Sequence, residues 1–149
     1  MNMELTSSLR KHQRREYYRE SCSIPVDFVE ISNEVANLGT ITEIQKATKN
    51  DDTLPDYGTI LDISGGGIRY STPYKVRTDV YNLYLFQIGP EDDKQDIMVI
   101  GYVIASEPVK DRTDLYHNRV QFVFKNEKER EKIVQFVFEE QRRKRQNNL

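Results

Sequence analysis

Six short apolar runs, most of them alternating with polar residues and separated by turn-forming residues, fill the middle of this 149-residue chain. Alternation with a period of two is typical of a β-strand that buries one face. The runs lie at residues 22–31, 57–63, 68–72, 80–88, 97–104 and 115–125. Many short strands with turn signals between them favour a small antiparallel β-barrel of six or so strands.

The residues after the last run change to a helical pattern. Asn126 can cap a helix, and Glu129 follows three residues later, as a capping box requires. A basic end at residues 142–145 complements the helix dipole. We therefore predict an all-β fold closed by one C-terminal α-helix at about residues 127–145. Its predicted apolar stripe comprises Ile133, Val134, Phe136, Val137 and Glu140, with Phe138 partly off it.

The other segments define the predicted domain organisation. Residues 1–20 are polar and basic, so we interpret them as a flexible arm. Residues 21–149 then form one barrel domain, which is all that a chain of this length can build. Within it, Thr40–Ile44 is a candidate strand, and we interpret residues 32–56 as an elongated hairpin or loop. The inward positions around the second and third strands are predicted to be Leu61, Ile63, Ile68 and Tyr70.

Charge and composition limit the classes of function. The formal net charge is −2, so the whole molecule is not an electrostatic binder of nucleic acid. Cys22 is the only cysteine, which excludes a disulfide framework and a multi-cysteine zinc site. No apolar run reaches membrane-spanning length, and the polar start lacks a signal-peptide core. We expect a protein of the cytoplasm without a transmembrane segment.

The sequence offers no catalytic constellation. His12 and His117 are far apart and lack a metal-ligand pattern, and no nucleophile-elbow motif is present. The carboxylate pairs at 51–52 and 92–93 lie in turn-like stretches, where solvated side chains are the simplest interpretation. We expect no enzyme activity, no metal and no cofactor.

Arginines crowd a short stretch of the predicted arm, in the sequence RREYYR at residues 14–19. In an extended segment Arg15 and Arg19 lie on the same side. Arginine is the residue suited to bidentate contact with phosphate and to stacking on a base. By itself, however, such a cluster is more often a solvated basic arm.

The sequence DISGGG at residues 62–67 is the second motif. By itself it indicates a glycine-rich turn between two strands, with Asp62 and Ser64 as turn formers. It also has the chemistry of a nucleotide site: Asp62 can accept from the N1–H and N2–H groups of guanine, and Ser64 can donate to phosphate or ribose. It is not a P-loop, because no Gly-Lys-Ser/Thr follows.

Together the motifs, Arg15-x-x-x-Arg19 and then Asp62-x-Ser64-x-x-Gly67, resemble the PilZ family of bacterial receptor domains for cyclic di-GMP. The resemblance extends from HQRREYYR and SIPVDFVEI to GTILDISGGGIRYST, then to the last strands and helix, and covers roughly residues 10–145. The interval between the motifs is longer than is usual in that family, and residues 32–56 hold the excess. The sequence is similar to the PilZ domain of flagellar-brake proteins, without a sign of their extra N-terminal domain.

The resemblance implies roles for the arm. Arg15 and Arg19 would grip phosphates and guanine edges of the ligand. Arg14 would stack on a guanine, and an arginine at that position often goes with an intercalated ligand dimer. The arm around residues 10–20 would fold over the ligand on binding, as a disorder-to-order switch.

The resemblance also implies roles for the turn. Asp62 would read a guanine edge, Ser64 would hydrogen-bond the ligand, and Gly67 would leave room for the base. Gly65 and Gly66 fall at variable positions and are given no contact.

The hypothesis is therefore a bacterial cyclic di-GMP receptor that changes conformation on binding and signals to an unidentified partner protein, in the control of motility or biofilm formation. It would act as a monomer or homodimer. One alternative is a PilZ-like interaction module that binds no nucleotide. The other is a small-barrel RNA-binding protein that uses the basic arm with Tyr17 and Tyr18 as stacking platforms, against which the net charge argues.

Overall fold

The computed structural model describes residues 18–50 and 53–147, and this part of the chain contains six strands and three helices. The strands form one antiparallel sheet that closes into a barrel in the order β1-β2-β3-β6-β5-β4. The elements are β1 Glu20–Ile31, α1 Asn33–Ala36, α2 Ile41–Lys49, β2 Asp56–Ile63, β3 Gly67–Thr72, β4 Tyr81–Ile88, β5 Gln95–Pro108, β6 Tyr116–Val123 and α3 Glu127–Asn147. The predicted barrel with a closing helix is confirmed.

Three aromatic rings occupy the centre of the barrel. Phe28, Tyr70 and Tyr84 are almost fully buried, and their ring centroids lie 5.2 to 6.0 Å apart. The two tyrosine hydroxyls are 3.1 Å apart, and Asn82 donates to the hydroxyl of Tyr84 at 3.0 Å. The buried polar groups are thereby paired, which such an apolar interior requires.

One of the predicted inward positions is wrong. Ile63, Ile68 and Tyr70 are buried as expected, but Leu61 is only half-buried and Ile60 is fully buried in its place. The register of β2 against β3 shifts between Ile60 and Asp62. Such a bulge adds one residue to a strand and changes which side chains face the core, which period-two reasoning misses.

The prediction of a hairpin or loop at residues 32–56, with a strand at Thr40–Ile44, is also wrong. This segment contains α1 and α2. The side-chain oxygen of Thr40 accepts from the amide of Glu43 at 3.2 Å and caps α2. The helices cover an outer face of the barrel and form a second apolar core, made of Ile31, Ala36, Ile44, Leu83 and Ile100.

Helix α3 begins as predicted, since the side chain of Asn126 accepts from the amide of Lys128 at 2.8 Å. Ile133 and Val137 join the barrel core, whereas Val134, predicted to face inward, is 38% exposed. The helix ends at Asn147, two residues beyond the predicted end. Position 134 lies about 100° around the helix from position 133 and falls at the edge of the buried face, on the side opposite Phe136, which packs against the core.

The basic end of α3 is fastened to the start of β1. Lys144 forms an ion pair with the buried carboxylate of Glu20 and also donates to the carbonyl oxygen of Ser21 at 3.3 Å. Pairing of β1 with β4 begins only at Val26, so the first residues of β1 pair with β2 alone. Lys144 contacts β1 at these first residues, which have no partner strand on the β4 side.

Candidate functional site

The candidate site forms around the turn between β2 and β3. The amide of Ser64 donates to the carbonyl oxygen of Gly67 at 2.9 Å, which closes the turn. The hydroxyl oxygen of Ser64 accepts from the amides of Gly66 and Gly67 at 3.1 and 3.3 Å. Ser64 therefore organises the turn internally, in the way that serine stabilises tight turns.

Asp62 lies one residue before the end of β2, opposite Arg69 of β3 in the strand register. The Nε–H group of Arg69 donates to Oδ2 of Asp62 at 2.7 Å. The side chain of Asp62 is 12% exposed and that of Arg69 is 40% exposed. The carboxylate is thus held in place by one edge of a guanidinium group, a charge-assisted contact.

Arg19 reaches the same turn through the register of β1. Glu20 pairs with Ile63, so Arg19, the residue before Glu20, lies beside the Ser64–Gly67 turn although far from it in sequence. Arg19 is exposed to solvent. The predicted residues Arg19, Asp62, Ser64 and Gly67 therefore come together, whereas Arg14 and Arg15 lie outside the described residues.

These residues line a cleft of about 530 Å³ on the outer surface of β3 and β6. The sequence interpretation missed three of its polar side chains: Arg69, Arg119 and Gln121. The available signal was alternation, because the inward Ile68, Tyr70, Val120 and Phe122 leave the residues between them outward. What the sequence does not give is the pairing of Arg69 with Arg119 across β3 and β6.

The cleft has an excess of positive charge. Among the described residues that line it, three arginines, at positions 19, 69 and 119, surround one carboxylate, that of Asp62. The exposed side chain of Ile104 adds an apolar surface at the edge. Arginine guanidinium groups bind phosphate bidentately, and a carboxylate accepts from paired N–H donors. The arrangement suits an anionic ligand that also presents hydrogen-bond donors.

Gly67 has a packing role in this structure. A methyl group on Gly67 would overlap the carbonyl oxygen of Val120 on β6. Position 67 requires glycine because the first residue of β3 lies very close to the backbone of β6. Its predicted role, leaving room for a base, stays a prediction.

Cys22 lies on β1 and packs, partly buried, against the barrel core. Its thiol donates to the carbonyl oxygen of Ile60 at 3.8 Å. Burial raises the pKa of this thiol to about 12, and the carboxylates of Asp62 and Glu20 add to the effect. A thiol with so high a pKa is protonated at neutral pH and is not a nucleophile.

Two further searches concern the described residues only. Among them, no group of three or more histidine, cysteine, aspartate or glutamate side chains is placed to hold a metal ion. None of the helices in that part of the chain is both long enough and apolar enough to span a membrane.

A closed six-stranded antiparallel barrel with a C-terminal helix, and a basic cleft at one hairpin turn, defines a small barrel domain with a ligand-sized site. A family model for the PilZ domain matches residues 13–139, which is most of the sequence. The chain belongs to the PilZ family. None of the curated protein sequences matches it at a significant level.

Solved structures of PilZ proteins share the fold at low sequence identity. The motility inhibitor MotI/DgrA of Bacillus subtilis matches with a TM-score of 0.66 and 13% identity, over 89% of this chain and 54% of that one. The chain therefore spans about half the length of that protein. The PilZ domain of YcgR from Escherichia coli, solved with c-di-GMP, matches with a TM-score of 0.59 and 13% identity, over 91% of this chain and 98% of that one.

A third PilZ structure is a tetramer. A tetrameric PilZ-domain protein of Xanthomonas campestris, described as self-assembled through a helical bundle, matches with a TM-score of 0.57 and 14% identity. The match covers 92% of this chain and 97% of that one.

Proposed function

We propose that this protein is a cyclic di-GMP receptor that binds its ligand in the cleft between Arg19 and the Asp62–Gly67 turn. The observation that carries the proposal is the convergence of three arginines and one oriented carboxylate in a cleft of about 530 Å³. That volume is in the range of small-molecule sites, roughly 300–1,000 Å³. The family membership and the ligand in the YcgR structure support it.

Each group in the cleft has a role in this proposal. The Arg19 and Arg119 side chains contact the two phosphates, because guanidinium groups match phosphate oxygens in geometry and charge. The oxygen of Asp62 that is not held by Arg69 accepts from the guanine N1–H and N2–H groups. Arg15 closes the site from the arm as a further phosphate contact, and Arg14 stacks on a guanine.

Binding transmits a signal and breaks no bond. The arm around residues 10–20 folds over the bound ligand, and the altered surface is recognised by a partner protein in the cytoplasm. The Bacillus subtilis protein of the same fold is named for inhibition of motility. We propose the same broad class of output here, the control of motility or biofilm formation.

Isothermal titration calorimetry with cyclic di-GMP tests the proposal, with GTP and GMP as control ligands. We expect binding of cyclic di-GMP and loss of most of it in Arg15→Ala and in Arg19→Ala, since each removes a charged multi-donor contact. Arg112→Ala is the matched control, because Arg112 pairs with Asp114 away from the cleft. A folded wild-type sample that gives no heat at tens of micromolar contradicts the proposal.

One observation favours a second candidate, an interaction module that binds no nucleotide. The carboxylate of Asp62 already has a partner in Arg69, and the hydroxyl of Ser64 is used by the amides of its own turn. These groups are therefore satisfied without a ligand. The same titration distinguishes the candidates, because the module gives no heat with any of the three nucleotides.

A further inference from the structure

Helix α3 has two apolar side chains that the barrel does not cover. Val134 and Phe138 are one helical turn apart and are 38% and 61% exposed. Each directly follows a residue that packs into the barrel, Ile133 or Val137, and so lies about 100° around the helix from it, on the flank of the buried face. Exposed apolar residues at such spacing on one helix indicate a surface that pairs with another helix.

These two residues are the centre of a longer line of residues along the surface of α3, which we call the seam. It consists of Glu127, Glu131, Val134, Phe138, Gln141 and Arg145, and five of these six residues are exposed. Their spacing alternates between four and three residues, which is the heptad spacing that keeps one face of a helix towards a partner helix. The line extends over about 27 Å of helix.

The charges on the seam are segregated. The end near the start of α3 has two carboxylates, Glu127 and Glu131, and the far end has the guanidinium group of Arg145. Two copies aligned in parallel would place like charges opposite each other. Two copies in antiparallel orientation would place acid opposite base, and would also align the helix dipoles favourably.

We propose that two copies of this chain pair through this seam, as an antiparallel helix dimer about a two-fold axis near position 136. Val134 of one copy then packs on Phe138 of the other. Glu131 accepts from the side-chain amide of Gln141, and Glu127 pairs with Arg145. Because a two-fold interface is self-complementary, each contact occurs twice.

The helix that carries the seam is anchored by contacts near both of its ends. Near its start, the guanidinium group of Arg130 lies over the ring of Phe124, 4.8 Å from the centroid. Near its end, Lys144 is paired with Glu20. A seam on a fixed helix loses little conformational entropy on pairing, which favours association. The Glu127 carboxylate also contacts Arg130 at 3.0 Å, a surface pair that is worth little by itself.

Sedimentation equilibrium of the full chain without nucleotide tests the pairing. Seams this small give weak dimers, so the measurement extends to about 500 μM chain. We expect the mass of the wild type to rise from one chain towards two with concentration. We expect Phe138→Glu to stay monomeric, because it adds a charge at the apolar centre. Glu139→Lys is the matched control on another exposed face and should associate like the wild type.

Charge exchange tests the orientation. Glu127→Arg and Arg145→Glu should each weaken association about tenfold, since each places two pairs of like charges in contact. The double variant restores opposite charges only in the antiparallel arrangement and should return to within about threefold of the wild type. A wild-type chain that is monomeric throughout overturns the proposal, as does a dimer unaffected by Phe138→Glu. A double variant that stays weak overturns the antiparallel arrangement.

Discussion

Arg69 donates from Nε to Oδ2 of Asp62 at 2.7 Å, so the carboxylate proposed to read guanine is held by an arginine from the neighbouring strand. The two residues are seven positions apart and face each other because the turn at Ser64–Gly67 returns the chain in register. Arg69 therefore orients Asp62 and also adds positive charge to the cleft. Its contribution can be measured separately from that of the arm.

We predict that Arg69→Ala weakens binding of cyclic di-GMP by about 10- to 100-fold, the equivalent of one charged hydrogen bond of about 1.5–3 kcal/mol. The affinity of Arg69→Lys should lie between those of the wild type and Arg69→Ala, because lysine keeps the charge but lacks the planar donor edge. Titration calorimetry measures both, beside Arg112→Ala. Binding that is unchanged or tighter in Arg69→Ala would mean that Arg69 competes with the ligand for Asp62.

Gly67 provides a prediction about stability. Gly67→Ala should lower the free energy of unfolding by about 1–3 kcal/mol, because the added methyl group overlaps the backbone of β6. Gly39→Ala is the control, since its methyl group would meet only Glu43, at 3.8 Å, and should change stability by less than about 0.5 kcal/mol. Urea denaturation measures both. Equal stability of the two variants would contradict the close approach of β3 to β6.

Helix α2 provides a third prediction. Ile44 is fully buried, and Ile44→Ala should cost about 2–5 kcal/mol of unfolding free energy through the cavity it leaves. Thr40→Ala should cost about 1 kcal/mol, because it removes the helix cap. The exposed Thr42→Ala is the control. If denaturation shows no effect of the first two substitutions, residues 32–50 are not the packed helical segment described.

We predict that the protein loses stability at high pH, because a tyrosine with a raised pKa is buried in the barrel core. Burial raises the pKa of Tyr70 from 10.0 to about 12. The unfolded chain therefore loses this proton at lower pH than the folded chain, and the free energy of unfolding falls as pH rises from about 10 to 12. A shift of this size lowers the free energy of unfolding by about 3 kcal/mol once the pH exceeds both pKa values. Cys22, with its pKa raised from 9.0 to about 12, acts in the same direction from about pH 9.

The variant that tests this is Tyr70→Phe. It should cost about 1 kcal/mol at pH 8, since the bond to the hydroxyl of Tyr84 is lost, and it should show a shallower decline above pH 10. Urea titrations at several pH values give both quantities. A variant that declines as steeply as the wild type would rule out Tyr70 as a source of the alkaline slope.

Part of the fold was predictable because its signals are local. Alternation placed the strands of the barrel, and Asn126 marked the start of α3. The sequence also contains the capping signal of α2, Thr40 with Glu43 three residues later, which the prediction of a strand there overlooked. Propensity at Thr40–Ile44 favoured a strand, and packing of Ile44 on the barrel wall favoured the helix.

By itself, the sequence determined the strand periods, the closing helix and the chemistry of the two motifs, since these depend on residue type and spacing along the chain. Only the tertiary structure decided which side chains meet. The pairing of Arg69 with Asp62, the position of Arg119 beside them and the outward direction of Val134 depend on strand register and on which helix face the barrel covers. Register is set by contacts between residues distant in sequence, so no local pattern encodes it.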